Sequence, residues 1–387
     1  MRVLLFTIIV ICLTHFVNAQ NYTLYPNIQF DTIPGIKPNL LSLDVYKPTK
    51  FSGLRPVIII IHGGYWNVGD KTAFQQAYMA DLFADSGYVS VSINYRLSPD
   101  PVDTISATAV RFPIHPQDCA NAVSWIVSNI ANYSGDTSKV SLMGHSAGAH
   151  LVLLLSTNES FLKKVGLSLQ KIKCTCSLDA GVFDVAEELK QAESNISRRA
   201  PLINAFGKDT SLYDDASPQL NIQLGKSFPD FLLIHQNTSD RIYSNKRFKD
   251  SLFANGYNKI TLFNANPYDH NQTASMIGNP LDTIGETTTM MSFFRTCLDK
   301  HSTDVFENIE KKSIYTVYPN PTSTTLFIQG QTENISQYEI VNIFGQILQR
   351  VKIFNNEIDV SKLESGVFII RLISVKNKIE YLKFIKI

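Results

Sequence analysis

The sequence predicts an α/β domain with a mostly parallel central sheet flanked by helices, followed by a small all-β sandwich. Three observations carry this. From about residue 20 to His301, strand-like runs alternate with helix-like ones, the pattern of repeated βα units. Within that region Pro56-Val57-Ile58-Ile59-Ile60-Ile61 is one unbroken apolar run, as in a central strand buried on both faces. Beyond His301 the helical period disappears, and short alternating segments separated by turn residues replace it.

In chain order, residues 1–19 read as a secretory leader. Arg2 precedes the apolar run Val3 to Leu13, and Val17-Asn18-Ala19 fits a signal-peptidase site. The run is too short for a membrane span; the other reading is a buried N-terminal segment. Leu40 to Tyr46 alternates as a half-buried strand does, and Pro56 to Ile61 is the central strand. A helix is expected over Ala73–Ala84, a strand over Tyr88–Tyr95 and a helix over Pro116–Asn129. Next come a short strand, Lys139–Met143, and a helix continuing through Leu151–Leu155 after a sharp turn. Strand, helix and strand follow at Pro229–Ile234, Phe248–Phe253 and Lys259–Phe263.

Between Gly181 and Ser227 the alternation lapses. This insertion is read as a small cap over the carboxyl edge of the sheet, or else a surface loop. Residues 302–313 form a polar linker. From about Ile314 to Ile387, strands are expected over Thr325–Gln329, Tyr338–Ile343, Ile347–Ile353, Val367–Ile373 and Ile379–Ile387, enough for the small sandwich.

Composition is that of an ordinary globular protein, 44% hydrophobic and 18% charged with a formal charge of +1. A near-neutral balance gives no footprint for nucleic acid, and no stretch after the leader is long and apolar enough for a transmembrane segment. Cys119, Cys174, Cys176 and Cys297 remain after the leader. In an oxidising compartment they permit two disulfides, or they are buried free thiols. Cys174 and Cys176 are expected to face opposite sides of a strand and so not to pair. Metal ligation is the weaker option, since no Cys or His pair has zinc-site spacing.

The strongest chemical signal is Gly144-His145-Ser146-Ala147-Gly148, between a strand and a helix. A serine hydroxyl becomes a nucleophile when a tight turn exposes it and a base takes its proton. The turn also aims the next backbone N–H, at a helix N-terminus, toward a developing oxyanion. His62-Gly63-Gly64-Tyr65-Trp66 follows the central strand and can supply the facing donor. For a base, His150 lies one turn into the nucleophile helix, His235 ends a strand and His301 is in the linker. His270 follows the last strand of the sheet, where a loop over the site belongs. Asp240, just past Pro229–Ile234, is the acid that fits the order serine, acid, histidine; Asp269 is too close in sequence to His270 to orient its ring. Phe183, Phe206 and Tyr213 of the insertion, with Tyr65 and Trp66, are expected to wall an apolar substrate pocket.

Three stretches taken together, His62-Gly-Gly-Tyr-Trp-Asn-Val-Gly-Asp-Lys71, Ile93-Asn-Tyr-Arg-Leu97 and Gly144-His-Ser-Ala-Gly-Ala-His150, resemble the esterase branch of the α/β-hydrolases. That branch includes carboxylesterases, feruloyl and acetylxylan esterases, and kynurenine formamidase-like enzymes. The resemblance covers roughly Tyr46 to Asn279. It implies an α/β-hydrolase fold, a triad of Ser146, Asp240 and His270, and an oxyanion hole from backbone amides near Gly64, Tyr65 and Ala147. It implies no metal or organic cofactor, and a small-molecule or polysaccharide-linked ester (acetyl or feruloyl) as substrate. Two departures are visible. Tyr65 stands where the family often has a third glycine, and His235-Gln-Asn-Thr-Ser-Asp240 is one residue longer than the usual stretch before the acid. Amide cleavage by a formamidase or exopeptidase, and a non-catalytic binding protein on the same fold, are the alternative functions.

In the C-terminal segment, Tyr318-Pro-Asn-Pro-Thr322, Ile343-Phe-Gly345, Asp359-Val-Ser-Lys-Leu-Glu-Ser-Gly-Val-Phe368 and Lys383-Phe-Ile-Lys-Ile387 resemble the type IX secretion C-terminal sorting domain. That resemblance implies the type IX machinery as a partner and a secreted or cell-surface location. A carbohydrate-binding or spacer sandwich is the alternative.

Overall fold

A computed structural model describes residues 21–300, apart from 101 and 107, and residues 315–330, 335–342, 347–352, 356–374 and 379–387. The leader at 1–19 and the linker at 302–313 lie outside the described residues. The chain divides into two compact units, residues 1–302 and 303–387.

In the first unit the strands are β1 (Tyr22–Gln29), β2 (Ser42–Pro48), β3 (Arg55–Ile61), β4 (Val89–Ile93), β5 (Gly135–His145), β6 (Ile172–Leu178), β7 (Asp230–His235) and β8 (Ile260–Asn264). The helices are α1 (Phe74–Asp85), α2 (Ile114–Asn129), α3 (Ala147–Thr157), α4 (Glu159–Lys164), α5 (Val185–Gln191), α6 (Ile196–Phe206), α7 (Ser239–Ala254), α8 (Gln272–Ser275) and α9 (Glu286–Lys300). One eight-stranded sheet runs in the order β1-β2-β4-β3-β5-β6-β7-β8. β1, β2 and β4 pair antiparallel, and every other neighbouring pair is parallel.

The unbroken run in β3 follows from this arrangement. Val57, Ile59 and Ile61 enter the apolar layer with α2 and α3, while Ile58 and Ile60 enter the opposite layer with α1 and α9. Side chains alternate across a strand, so a sheet covered on both faces needs apolar residues at every position. Each of these side chains is fully buried, contributing about 1.5–3 kcal/mol. β1, mostly exposed at the sheet edge, carries no such signal and was not anticipated.

The insertion between β6 and β7 holds α5, α6 and a turn of 3-10 helix, Thr210–Leu212. The polar residues that interrupt its pattern are helix caps. Asp184 accepts from the Glu187 N–H and Asn195 from the Arg198 N–H, both at 3.1 Å, satisfying donors that a helix start leaves free.

Cys174 and Cys297 form a disulfide that ties β6 to α9, whereas Cys119 and Cys176 are free and buried. The expectation that Cys174 and Cys176 face opposite sides is corrected: residues two apart on a strand share a face, and both belong to the α9 layer.

The second unit contains β9 (Thr316–Tyr318), β10 (Thr325–Gln329), β11 (Ile335–Asn342), β12 (Ile347–Lys352), β13 (Glu357–Asp359), β14 (Gly366–Ser374) and β15 (Ile379–Lys386). They form two antiparallel sheets, β13-β10-β9 and β12-β11-β14-β15. Leu326, Ile328 and Ile358 from one meet Ile340, Ile370, Leu372 and Phe384 from the other in a shared core. Among the described residues, no helix is long and apolar enough to cross a membrane.

Candidate active site

β5 ends at His145 and α3 begins at Ala147, leaving Ser146 alone on the turn with φ 56° and ψ −116°. A non-glycine residue at positive φ is strained, and the surroundings hold it there. The Ser146 N–H donates to the Leu178 carbonyl at 2.9 Å, and the Ser146 carbonyl accepts from the His150 N–H. The flanking glycines are required by close approach. A Cβ on Gly148 would lie 2.1 Å from the Ile61 carbonyl oxygen, and one on Gly144 would lie 2.4 Å from that of Gly148. The start of α3 is thereby pressed against β3 and β5. Gly63 plays a similar part on the facing loop, where a Cβ would sit 2.8 Å from the His145 carbonyl oxygen and 3.0 Å from the Ser146 Cβ.

His270 stands on the loop after β8, and its Nε2 is 2.9 Å from the Ser146 Oγ. The other ring nitrogen, Nδ1, is 2.6 Å from Asp179 Oδ2. The acid at this histidine is therefore Asp179, at the end of β6, and Asp240 is corrected. Asp240 lies in the first turn of α7, about half exposed, and its nearest cation is Arg241 at 3.9 Å. The longer stretch after His235 carries it out of the loop and into the helix. Asp269 turns away from the ring and accepts from the Asn271 and Gln272 N–H groups.

Asp179 is fully buried. Its Oδ1 accepts the Gln236 N–H at 3.1 Å and lies 3.2 Å from Arg241 Nε. Burial pushes its carboxyl upward, but the His270 hydrogen bond and the Arg241 charge outweigh this and hold it below the ordinary carboxylate range. A chain from serine to imidazole to ionised carboxylate can move a proton from the hydroxyl and stabilise the imidazolium that results.

Two cavities meet at Ser146 and His270. The first, about 270 Å³, is bordered by Gly63, Gly64, Gly69, Ala73, Gln75 and Gln76. The second, about 280 Å³, is bordered by Trp66, Ala147, Leu202, Glu188, Arg198 and Arg241. Gly64, Tyr65 and Ala147 all line one or both, and Ala147 opens α3, where N–H groups have no partner within the helix. Tyr65 and Trp66 hold φ of 49° and 59°, so the turn after β3 is made without a third glycine.

Of the predicted pocket aromatics, Trp66 borders the second cavity. Phe183, Phe206 and Tyr213 do not line either cavity; they are corrected to core residues. Phe206 packs edge-on against Trp66, and Phe183 packs on Phe248. The cap contributes charge instead: Glu188 of α5 and Arg198 of α6 pair at 2.6 Å on the cavity wall.

Fold and site together define an α/β-hydrolase with a serine at the nucleophile turn. The chain belongs to the BD-FAE family, which matches residues 43–250, and residues 316–386 match the secretion system C-terminal sorting domain. The sorting domain places the protein among those exported to the cell surface or secreted. Esterase LipQ of Mycobacterium tuberculosis is 30% identical over 209 residues, 52% of this chain and 46% of that protein. The isoprenylcysteine alpha-carbonyl methylesterase ICME of Arabidopsis thaliana is 24% identical over 250 residues, 62% and 55% of the two chains. The chain thus spans about half the length of these curated relatives. Among solved structures, a truncated carbohydrate esterase from gut microbiota superimposes with a TM-score of 0.58 at 18% identity, covering 73% of this chain and 98% of the other. Esterase B from Lactobacillus Rhamnosis gives 0.59 at 21% identity, covering 73% and 87%.

Proposed function

We propose that the protein is an exported carboxylic-ester hydrolase working through an acyl-enzyme on Ser146. The observation that carries this is the Ser146–His270–Asp179 chain, at 2.9 and 2.6 Å, on a strained turn between β5 and α3. His270 Nε2 takes the hydroxyl proton as Oγ attacks the ester carbonyl, and Asp179 orients the ring and stabilises its positive form. Backbone N–H groups of Gly64, Tyr65 and Ala147 receive the oxyanion. His270 then protonates the leaving alcohol, and a water activated by the same imidazole releases the acid.

Short acyl or aryl esters, including acetyl or feruloyl groups on polysaccharides, are the substrate class. Cavities of about 270 and 280 Å³ lie at the small end for ligand sites, and the charged Glu188–Arg198 wall is unsuited to a lipid chain. Names of the relatives, esterases and a carbohydrate esterase, agree in class. Type IX secretion machinery is the partner of the C-terminal unit.

The test is turnover of chromogenic acetate, butyrate, longer acyl and feruloyl esters, with an anilide beside them. Wild type should favour the short or aromatic esters and be labelled by a serine-directed phosphonate at Ser146. Ser146→Ala should lose turnover by more than about a thousandfold, in line with loss of a triad nucleophile. A variant within tenfold of wild type, or faster cleavage of the anilide than of any ester, contradicts the proposal.

A further inference from the structure

His145, the last residue of β5, is buried beside the nucleophile. Its Nε2 lies 2.8 Å from the carbonyl oxygen of His270, and the two rings lie against each other, centroids 4.7 Å apart at 34°. A carbonyl only accepts, so Nε2 carries a proton, and in the neutral ring Nδ1 carries none. The same carbonyl accepts the Thr273 hydroxyl at 2.9 Å. His270 is thus held at both ends: its side chain lies between Asp179 and Ser146, and its main chain is tied to His145 and Thr273.

The segment between β8 and α8 has no regular structure of its own. Without a tie to β5, the main chain of His270 would be held only within that loop and by Thr273, and the ring only by Asp179 and Ser146. Burial, with the neighbouring His270 charge, brings the His145 pKa down to about 4. The ring therefore stays neutral through the neutral range and puts no second positive charge beside the imidazolium.

On the reading of Ser146 and His270 as nucleophile and base, we propose that His145 is a positioning residue. Its Nε2–H anchors the base-bearing loop to the nucleophile strand and sets the Ser146–His270 hydrogen bond. Misplacement by about 1 Å costs on the order of 100-fold in rate, and it acts on turnover rather than on substrate affinity.

The test compares His145→Leu, His145→Gln and Ser146→Ala in the full chain, with kcat and KM measured on a short-acyl aryl ester. Leucine should lower kcat by about 100-fold with KM nearly unchanged. Glutamine, whose amide N–H stands near the place of Nε2, should recover most of that loss. A leucine variant within threefold of wild type overturns the proposal, as does a glutamine variant that is folded yet no better than leucine. Should the leucine variant not fold, nitrogen NMR of the wild-type rings gives a separate decision. A neutral His145 protonated at Nε2 supports the tie, and one protonated at Nδ1 overturns it. Ser146→Ala separates the two levels of failure: if it is inactive while His145→Leu is active, only the positioning role falls. If Ser146→Ala is active, the hydrolase mechanism falls with it.

Discussion

Asp179→Asn is the substitution that most directly tests the triad. Asp179 Oδ2 is 2.6 Å from His270 Nδ1, and Oδ1 is already engaged by the Gln236 N–H. An asparagine held in that pose turns an N–H toward Nδ1, which then accepts and leaves the proton on Nε2. In that tautomer His270 cannot take the Ser146 proton. The same replacement in a Ser-His-Asp site costs about 10⁴ in kcat, or roughly 5.5 kcal/mol at 1.36 kcal/mol per tenfold. Asp240→Asn removes a half-exposed carboxylate that borders the second cavity, 3.9 Å from Arg241, and touches neither Ser146 nor the His270 ring by a hydrogen bond. Exposed ion pairs are worth about 0–1 kcal/mol, so its effect should stay below about fivefold. The assay is kcat on a chromogenic acetate ester, with sites counted by phosphonate titration and folding checked by circular dichroism. A well-folded Asp179→Asn within tenfold of wild type would refute the assignment, and so would an Asp240→Asn variant slowed more than a hundredfold.

Burial, with Asp282 and Asp179 nearby, raises the Glu286 carboxyl from 4.5 to about 9, so its stabilising contribution is present below about pH 4.5 and is lost as pH rises toward 9. Glu286→Gln should therefore gain stability on wild type by about 1.4 kcal/mol per pH unit across that window, and melting curves with a pH-independent difference would contradict it. Lys71 is fully buried and pairs with buried Asp44 at 2.9 Å, so Lys71→Met should cost about 3–5 kcal/mol by stranding the carboxylate. Denaturant unfolding of Lys71→Met with and without Asp44→Asn checks this, since the double variant should recover much of the loss. A chain ending at Ser313 should keep esterase activity yet no longer be exported by its own host, and normal delivery of the shortened chain would contradict the sorting role.

Much of the fold was legible because two-sided burial writes itself into composition: from Pro56 to Ile61 β3 has no polar position, and both faces of the strand are covered. The nucleophile turn was legible for a related reason. Gly144 and Gly148 are demanded by backbone contacts under 3 Å, and such contacts leave a fixed spacing in the sequence. Partnerships set by packing left no such trace. Cys174 and Cys297 are 123 residues apart and meet only because α9 lies on the β6 face of the sheet. Phe183, Phe206 and Tyr213 are large enough to wall a pocket, but large aromatics also favour the core, and here they pack into it. The charged residues Glu188, Arg198 and Arg241 that border the cavity look, in sequence, like any solvated helix face.

The acid was missed for a reason that lies in the sheet itself. β6 and β7 are parallel neighbours, with Leu178 opposite Ile234, and adjacent strands stand about 4.8 Å apart. Residues just beyond either strand can therefore reach one histidine, and serine–acid–histidine order admits both. What separates them is environment. Asp179 sits at φ 50°, a conformation aspartate tolerates better than most residues, and is fully buried with the Gln236 N–H on one oxygen and His270 on the other. Such a carboxylate has one orientation and is shielded less by water than a surface one, so on the proposed mechanism its charge is well placed to steady the imidazolium. Asp240, half in solvent, offers neither property. Arg241 completes the distinction: its Nε lies 3.2 Å from Asp179 and its Nη1 3.9 Å from Asp240. Its charge pairs the buried carboxylate, and on the proposed mechanism Asp179 stabilises the imidazolium once it forms.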